Sequence, residues 1–245
     1  MIVLSRKRMN IVLTSIFIAV FTFSFRIAGN TEKEGNTKEN VEIVQTATTP
    51  VSGKVVVLDA GHGVPDEGAQ SSTGTTEAET NLKIALKVQN LLEQSGATVI
   101  LTRSDENAIY DLDSKTLKQK KISDIHNRVK IGNESSADIF VSIHLNKIPQ
   151  QQYWGWQCFY KSGNEESTKL AKLLQQNLND AIQKDNKRVA MKIDNIYIVK
   201  HVEIPLSIVE CGFLSNPEEE EDLLSNEYQD KLAWGIYTGI MQYFN

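Results

Sequence analysis

The sequence is poor in the features that assign a protein to a simple class. It has two cysteines in 245 residues, Cys158 and Cys211, with no CxxC spacing. That excludes a disulfide framework and a cysteine zinc site, and two buried thiols near strands are expected. Basic charge is scarce. The formal net charge is -5, and Arg6, Lys7, Arg8 and Arg26 lie in an opening stretch, residues 1–28, that has no acid. The remainder is therefore more acidic still, which argues against nucleic acid or an anionic membrane as its main partner. No internal repeat is visible, and there is no short helical metal motif of the HExxH kind. The apolar run from Ile11 to Phe25 is short for a bilayer span, and no cysteine follows it as a lipoprotein signal requires.

What is present is a basic stretch, then that apolar run, then Arg26 and Ala28-Gly29: the n-region and h-region of a secretory segment. Residues 1–28 are expected to be a signal peptide cleaved near Ala28 or an uncleaved membrane anchor. Either way the body is exported across the cytoplasmic membrane, secreted or anchored on the cell-wall side. Residues 29–52 are rich in Thr, Glu, Asn and Lys and read as a flexible linker. The folded domain is expected over 53–245. Its 40% hydrophobic and 23% charged composition supports a sizeable core.

Along the domain, residues 55–59 read as a strand. A helix follows from Glu77, capped by Thr75 or Thr76 and stopped by Gly96, with Leu82, Ala85, Leu86, Gln89 and Leu92 near one face. Residues 97–102 are a strand and 104–120 a surface loop with some helix. Residues 122–134 are a helix with Ile122, Ile125 and Val129 inward. Strands are expected over 138–145, 154–160, 195–200 and 206–210, and helices over 165–184, 217–225 and 227–243. Alternating strands and helices, several strands apolar throughout, predict one α/β domain with a mostly parallel sheet. Sites in such sheets gather beyond the carboxyl ends of strands. His62 lies just past one strand end, His144 at a second and Glu210 at a third.

Two neutral imidazoles and one carboxylate form a common zinc set with a fourth position free. His62, flanked by Gly61 and Gly63, and His144 supply the imidazoles. Glu77 fits as the third ligand, although an acid also suits a helix's first turn, and Asp66 and Glu67 compete from the same loop. Glu210, ending the run Leu206-Ser207-Ile208-Val209, fits a general base and acid beside the metal, or a salt-bridged acid at a strand end. His144 also fits an ordinary half-buried strand. His126 and His201 read as a helix-surface and a loop histidine.

Taken in order, the motifs are Val57-Leu58-Asp59-Ala60-Gly61-His62-Gly63, then Glu77 with Asn81-Leu82. Thr102-Arg103 and Arg128 with Asn133 follow. Ser142-Ile143-His144-Leu145-Asn146 and Val209-Glu210-Cys211-Gly212-Phe213-Leu214-Ser215-Asn216-Pro217 complete the set. Over residues 54–244 this series resembles the zinc-dependent N-acetylmuramoyl-L-alanine amidases of the amidase-3 type. The resemblance implies a twisted, mostly parallel sheet with helices on both faces. It implies Zn2+ held by His62, Glu77 and His144, with Glu210 catalytic. The bond cut would be the peptidoglycan amide between the lactyl group of N-acetylmuramic acid and L-alanine. The family often has glycine where Val64 stands, lysine at Ala78, a small residue at Leu145 and glutamate at Gln157. A single catalytic domain behind a signal or anchor is similar to the spore-cortex amidases, whose action leads to muramic-δ-lactam. An exported activator or localising protein is then an expected partner. The competing functions are a wall-binding or regulatory module without turnover, and a zinc peptidase or deacetylase of the wall.

Overall fold

A computed structural model of the chain describes residues 48–245. The expected signal or anchor, and nearly all of the expected linker, lie outside the described residues. Among the described residues no helix is long and apolar enough to cross a membrane. The chain joins the core before residue 53, because Val51 is fully buried against the domain.

The strands are β1 (Val55–Ala60), β2 (Thr98–Leu101), β3 (Ile139–Asn146), β4 (Gln157–Tyr160), β5 (Met191–Lys192) and β6 (Leu206–Phe213). They form one sheet in the order β2-β1-β3-β6-β4-β5. β2, β1, β3 and β6 run parallel; β4 is antiparallel to β6 and parallel to β5. The helices are α1 (Glu77–Gln94), α2 (Leu117–Glu134), α3 (Glu165–Ile182), α4 (Tyr197–His201), α5 (Pro217–Leu224) and α6 (Asn226–Tyr243). One sheet face packs Val56, Leu58, Val141, Ile143 and Val209 against α1, α3 and α6; the other packs Val57, Phe140 and Ile208 against α2 and α4.

The period-two alternation of strands sets up the site. On the α2 side, β1 presents Val57 and then Asp59. β3 presents Phe140, Ser142 and His144, and β6 presents Ile208 and then Glu210. Each strand thus turns from apolar to polar toward its carboxyl end. Parallel register aligns those ends, with Asp59 beside Ser142 and His144 beside Glu210.

Four expectations are corrected. Residues 195–200 are not a strand: Tyr197–His201 is a helix, α4. Its buried residues Ile198, Val199 and Val202 follow helical spacing and fill the second core. His201 accordingly ends a helix rather than lying in a loop. Helix α2 begins earlier than expected, at Leu117, through a capping box between Thr116 and Gln119. Ile122 on it faces outward, and Arg128 and Val129 are buried. Cys158 and Cys211 are buried and unbonded.

Asp59 ties four elements together. Its carboxylate accepts from Thr102 Oγ1 (2.7 Å), Ser142 Oγ (2.6 Å) and Arg128 Nη1 (2.5 Å). Asp59 is 1% exposed and Arg128 3%. Burial resists ionisation of Asp59, but Arg128 and the hydroxyls outweigh it and hold the carboxyl below its usual range. Removing one partner of a buried pair costs more than the pair contributes. Asp59→Ala should lose about 3 kcal/mol in urea unfolding, the low end for such pairs because Asp124 still meets Arg128. Lys83→Ala, which loses an exposed pair with Glu79, should lose less than about 1 kcal/mol. Equal losses would contradict this reading of Asp59.

Candidate functional site

His62 sits in the turn after β1 with φ 63°, a left-handed conformation that non-glycine residues rarely hold. Such a residue costs about 1–3 kcal/mol and persists only when its surroundings over-determine it. Here three successive carbonyls are captured. Ala60 O accepts from Arg103 Nε and Arg128 Nη1, both at 2.8 Å. Gly61 O accepts from Arg103 Nη2 (3.0 Å) and Asn81 Nδ2 (3.1 Å). His62 O accepts from Arg128 Nη2 at 2.6 Å.

Glu77 opens α1, whose N-cap Thr76 accepts the Glu79 N–H. Its carboxylate is 4% exposed and turns inward. Oε2 accepts the Ala69 N–H (2.9 Å) and Oε1 the Leu145 N–H (3.1 Å). Oε1 also lies 3.1 Å from His144 Nδ1 and 3.4 Å from His62 Nε2. Burial opposes its ionisation, yet the hydrogen bonds and charges of His144 and His62 prevail, and the carboxyl sits far below the ordinary glutamate range. Burial likewise opposes protonation of His144, and the Glu77 hydrogen bond together with the charges of Glu210, Glu77 and Asp59 overcomes it.

The structure brings His62, Glu77 and His144 together, with one ligand atom of each within 4.8 Å of the others. Donors bound to one tetrahedral zinc at 2.0–2.1 Å lie about 3.3 Å apart, close to the two Glu77 separations. The surroundings keep this space clear. A Cβ on Gly61 would meet His144 Cε1 at 2.2 Å, and one on Gly68, whose φ is 71°, would meet Glu77 Oε2 at 2.5 Å. The residues therefore fit a zinc ion. Of the rival acids, Glu67 is exposed. Asp66 stands behind His62, with Oδ2 3.6 Å from Nδ1, on the ring nitrogen turned from Glu77.

Glu210 is the cross-strand neighbour of His144. Its Oε2 is buried without a hydrogen-bond partner. Burial raises its pKa, opposed by His144, reinforced by Glu77 and opposed again by His62. A carboxyl whose proton affinity is raised this way is better suited to take up and release a proton than a solvated glutamate. His126 and His201 lie apart from the cluster, exposed, and each stacks on Tyr197. The sequence reading missed Asp66 as a group behind His62 and Lys121 as its partner (Nζ–Oδ1 2.8 Å). The available signal was the helical spacing of Lys121, Asp124, Ile125 and Arg128.

A sequence model of the family described as N-acetylmuramoyl-L-alanine amidase matches residues 56–242. A germination-specific N-acetylmuramoyl-L-alanine amidase of Bacillus subtilis is 40% identical over 195 residues, spanning 80% of this chain and 81% of its own. The CwlD amidase of Clostridioides difficile, solved in complex with the GerS lipoprotein, superposes with a TM-score of 0.75 at 43% identity. That match covers 78% of this chain and 98% of that one. An N-acetylmuramoyl-L-alanine amidase of Clostridium difficile 630 gives a TM-score of 0.68 at 30% identity, covering 78% and 97%.

The exit of β6 past Glu210 is pinned by Glu219, which accepts the Phe213 N–H and the Gly155 N–H, both at 2.8 Å. Burial outweighs these bonds and pushes the Glu219 carboxyl up to about 7 from 4.5. A raised folded-state pKa gives stability that is full below the unfolded value and lost as pH rises through the folded one. Denaturant midpoints should therefore fall between pH 4.5 and about 7, and Glu219→Gln should flatten that part of the profile. An unchanged slope in the variant would contradict the assignment.

Proposed function

The chain belongs to the N-acetylmuramoyl-L-alanine amidase family, and from that premise we propose that it works as a zinc enzyme of the spore cortex. As an amidase it hydrolyses peptidoglycan at the amide joining N-acetylmuramic acid to L-alanine of the stem peptide. His62, Glu77 and His144 would hold the ion. The observation that carries this reading is the clustering of their ligand atoms within 4.8 Å. When bound, zinc supplies Lewis acidity toward a carbonyl and toward water.

The remaining roles fall to the chain's own groups. Glu210 Oε2 accepts the proton of the attacking water and returns it to the departing amide nitrogen. Its buried, unpartnered state supports this role, since no protein donor competes for the lone pairs. Arg103 and Arg128 keep the His62 turn from relaxing, so the first imidazole is held in place before substrate arrives. Ala69 and Leu145 N–H groups fix the Glu77 carboxylate in one orientation.

The similarity to a germination-specific amidase supports a place in cortex remodelling that leads to muramic-δ-lactam. In this reading residues 1–28 deliver the domain to the wall side of the membrane, most of residues 29–52 act as a tether, and the catalytic domain, which takes in Val51, follows. The C. difficile relative was solved with a lipoprotein, and this supports an exported partner for placement or activation.

Purified protein loaded with zinc should release, from muropeptides, intact glycan and a peptide beginning at L-alanine, identified by mass spectrometry. Chelator should abolish release and zinc restore it. Glu210→Gln should lower kcat by about 10²–10⁴-fold with zinc stoichiometry kept. His62→Ala and His144→Ala should each lose the metal while the circular dichroism of the fold persists. A zinc-loaded sample that frees no such peptide, or frees acetate or a shorter peptide instead, overturns the reading.

A further inference from the structure

We propose that the cleft beside the metal cluster carries a subsite for the carboxylate of the residue following L-alanine in the stem peptide, with Lys121 as its cation. This rests on the amidase reading above. The cleft has a volume of about 330 Å³ and runs from His62, His144 and Glu210 toward α2 and the start of α4. Beyond the catalytic end its wall is apolar, made by Ile125, Ile196, Ile198 and Ile208. Such a wall suits the methyl group of alanine and offers nothing polar to orient a longer peptide.

Two cations line this cleft among the described residues, and they are in opposite states. Arg128 is 3% exposed and directs its donors at Asp59, Asp124, Thr102 and the carbonyls of Ala60 and His62. It has nothing left for a ligand. Lys121, two helical turns earlier on the same face of α2, keeps 48% of its side chain exposed and meets one partner, Asp66 Oδ1, at 2.8 Å. An ammonium has three donors, so two remain to bind a second anion without breaking that contact.

Lys121 is linked to the ligand cluster through Asp66. Asp66 bridges Lys121 to His62, with its other oxygen 3.6 Å from Nδ1. Lys121 Nζ is thus separated from the ligand cluster by one carboxylate and one imidazole. An extended chain advances about 3.3–3.6 Å per residue, so the second residue begins about 7 Å from the scissile amide, and the half-exposed Lys121 side chain lines the cleft beside the cluster. The residue there in stem peptides is D-glutamate, with a free carboxylate or, in some walls, its amide. The cleft also carries the carboxylates of Asp66, Asp124 and Glu210. An anionic peptide would be repelled along this path unless a cation received it, and Lys121 stands where it is needed.

The test compares two synthetic substrates, N-acetylmuramoyl-L-alanyl-γ-D-glutamyl-L-lysine and its D-isoglutaminyl counterpart, in both of which the γ-carboxyl is amide-linked so that only the α-carboxylate or its amide differs, on zinc-loaded full-length protein. The native enzyme should prefer the carboxylate about three- to tenfold in kcat/KM, mostly through KM, as expected for a partly exposed charge-assisted bond. Lys121→Gln should bring the ratio close to one, and Lys121→Arg should retain a preference. Zinc content is measured on each protein. Equal cleavage of both substrates by the native enzyme overturns the subsite. So does a preference that survives Lys121→Gln. Loss of zinc with an equal fall on both substrates would make Lys121 a support for His62 alone, and also overturns it. Calorimetric binding of the two compounds to Glu210→Gln gives the same ratio without turnover, so the subsite is judged even if the native enzyme cleaves neither. Failure to cleave either compound or muropeptides would count against the amidase reading instead.

Discussion

The guanidinium of Arg128 is the constraint on which the rest of the site depends. One buried cation neutralises Asp59 inside the sheet, holds Asp124 on its own helix and caps the carbonyls of Ala60 and His62. A buried ion pair is poor evidence of net stability, because desolvation consumes most of the attraction. What it provides here is position. The His62 turn is strained, and strain of that size relaxes unless several contacts agree on one geometry. Arg128 contributes contacts from a different element than Arg103 and Asn81, so relaxing the turn would require moving α1, α2 and the end of β2 together.

The arrangement explains why ligands from distant parts of the chain meet. Parallel pairing places the carboxyl ends of β1, β3 and β6 at one edge. Alternation then puts Asp59, Ser142, His144 and Glu210 on one face. Glu77 arrives from a helix start instead, and its approach is fixed by backbone N–H groups of Ala69 and Leu145 rather than by other side chains. The His62, Glu77 and His144 cluster is thus supported mostly by main chain and by buried cations, which leaves one side of it open to the cleft.

The strands, the helix faces and the convergence of His62, His144 and Glu210 were legible because each rests on local periodicity or on strand ends. Glu77 was legible only as one of several acids, since its inward turn depends on backbone donors that spacing does not reveal. The segment at 195–200 misled because Ile196, Ile198 and Val199 suit a strand by composition; a four-residue step to Val202 makes the helix, and that is weak evidence in so short a stretch. Ile122 misled because burial on α2 was taken from its apolar residues. The helix in fact turns Arg128 and the Lys121–Ile125 stripe toward the cleft. A charged residue in the buried stripe of a helix is what sequence patterning handles worst, and here it is where function lies.

Gln157 follows from the same logic of charge. It is the cross-strand partner of Glu210 from the other side of β6. Its amide is tied down at both ends, donating to Val189 O (2.9 Å) and accepting from Arg188 Nη1 (3.1 Å), while the Arg188 guanidinium lies over the Phe213 ring at 4.6 Å. A glutamate in this place would set a second carboxylate beside Glu210, and two like charges in one site drive at least one of them toward protonation. The neutral amide removes that competition. The proton affinity of Glu210 is then set by its own burial and by Glu77, His144 and His62, the groups it faces across the cleft. In this chain Glu210 is therefore coupled to the His62, Glu77 and His144 cluster rather than to the residue beside it on β4.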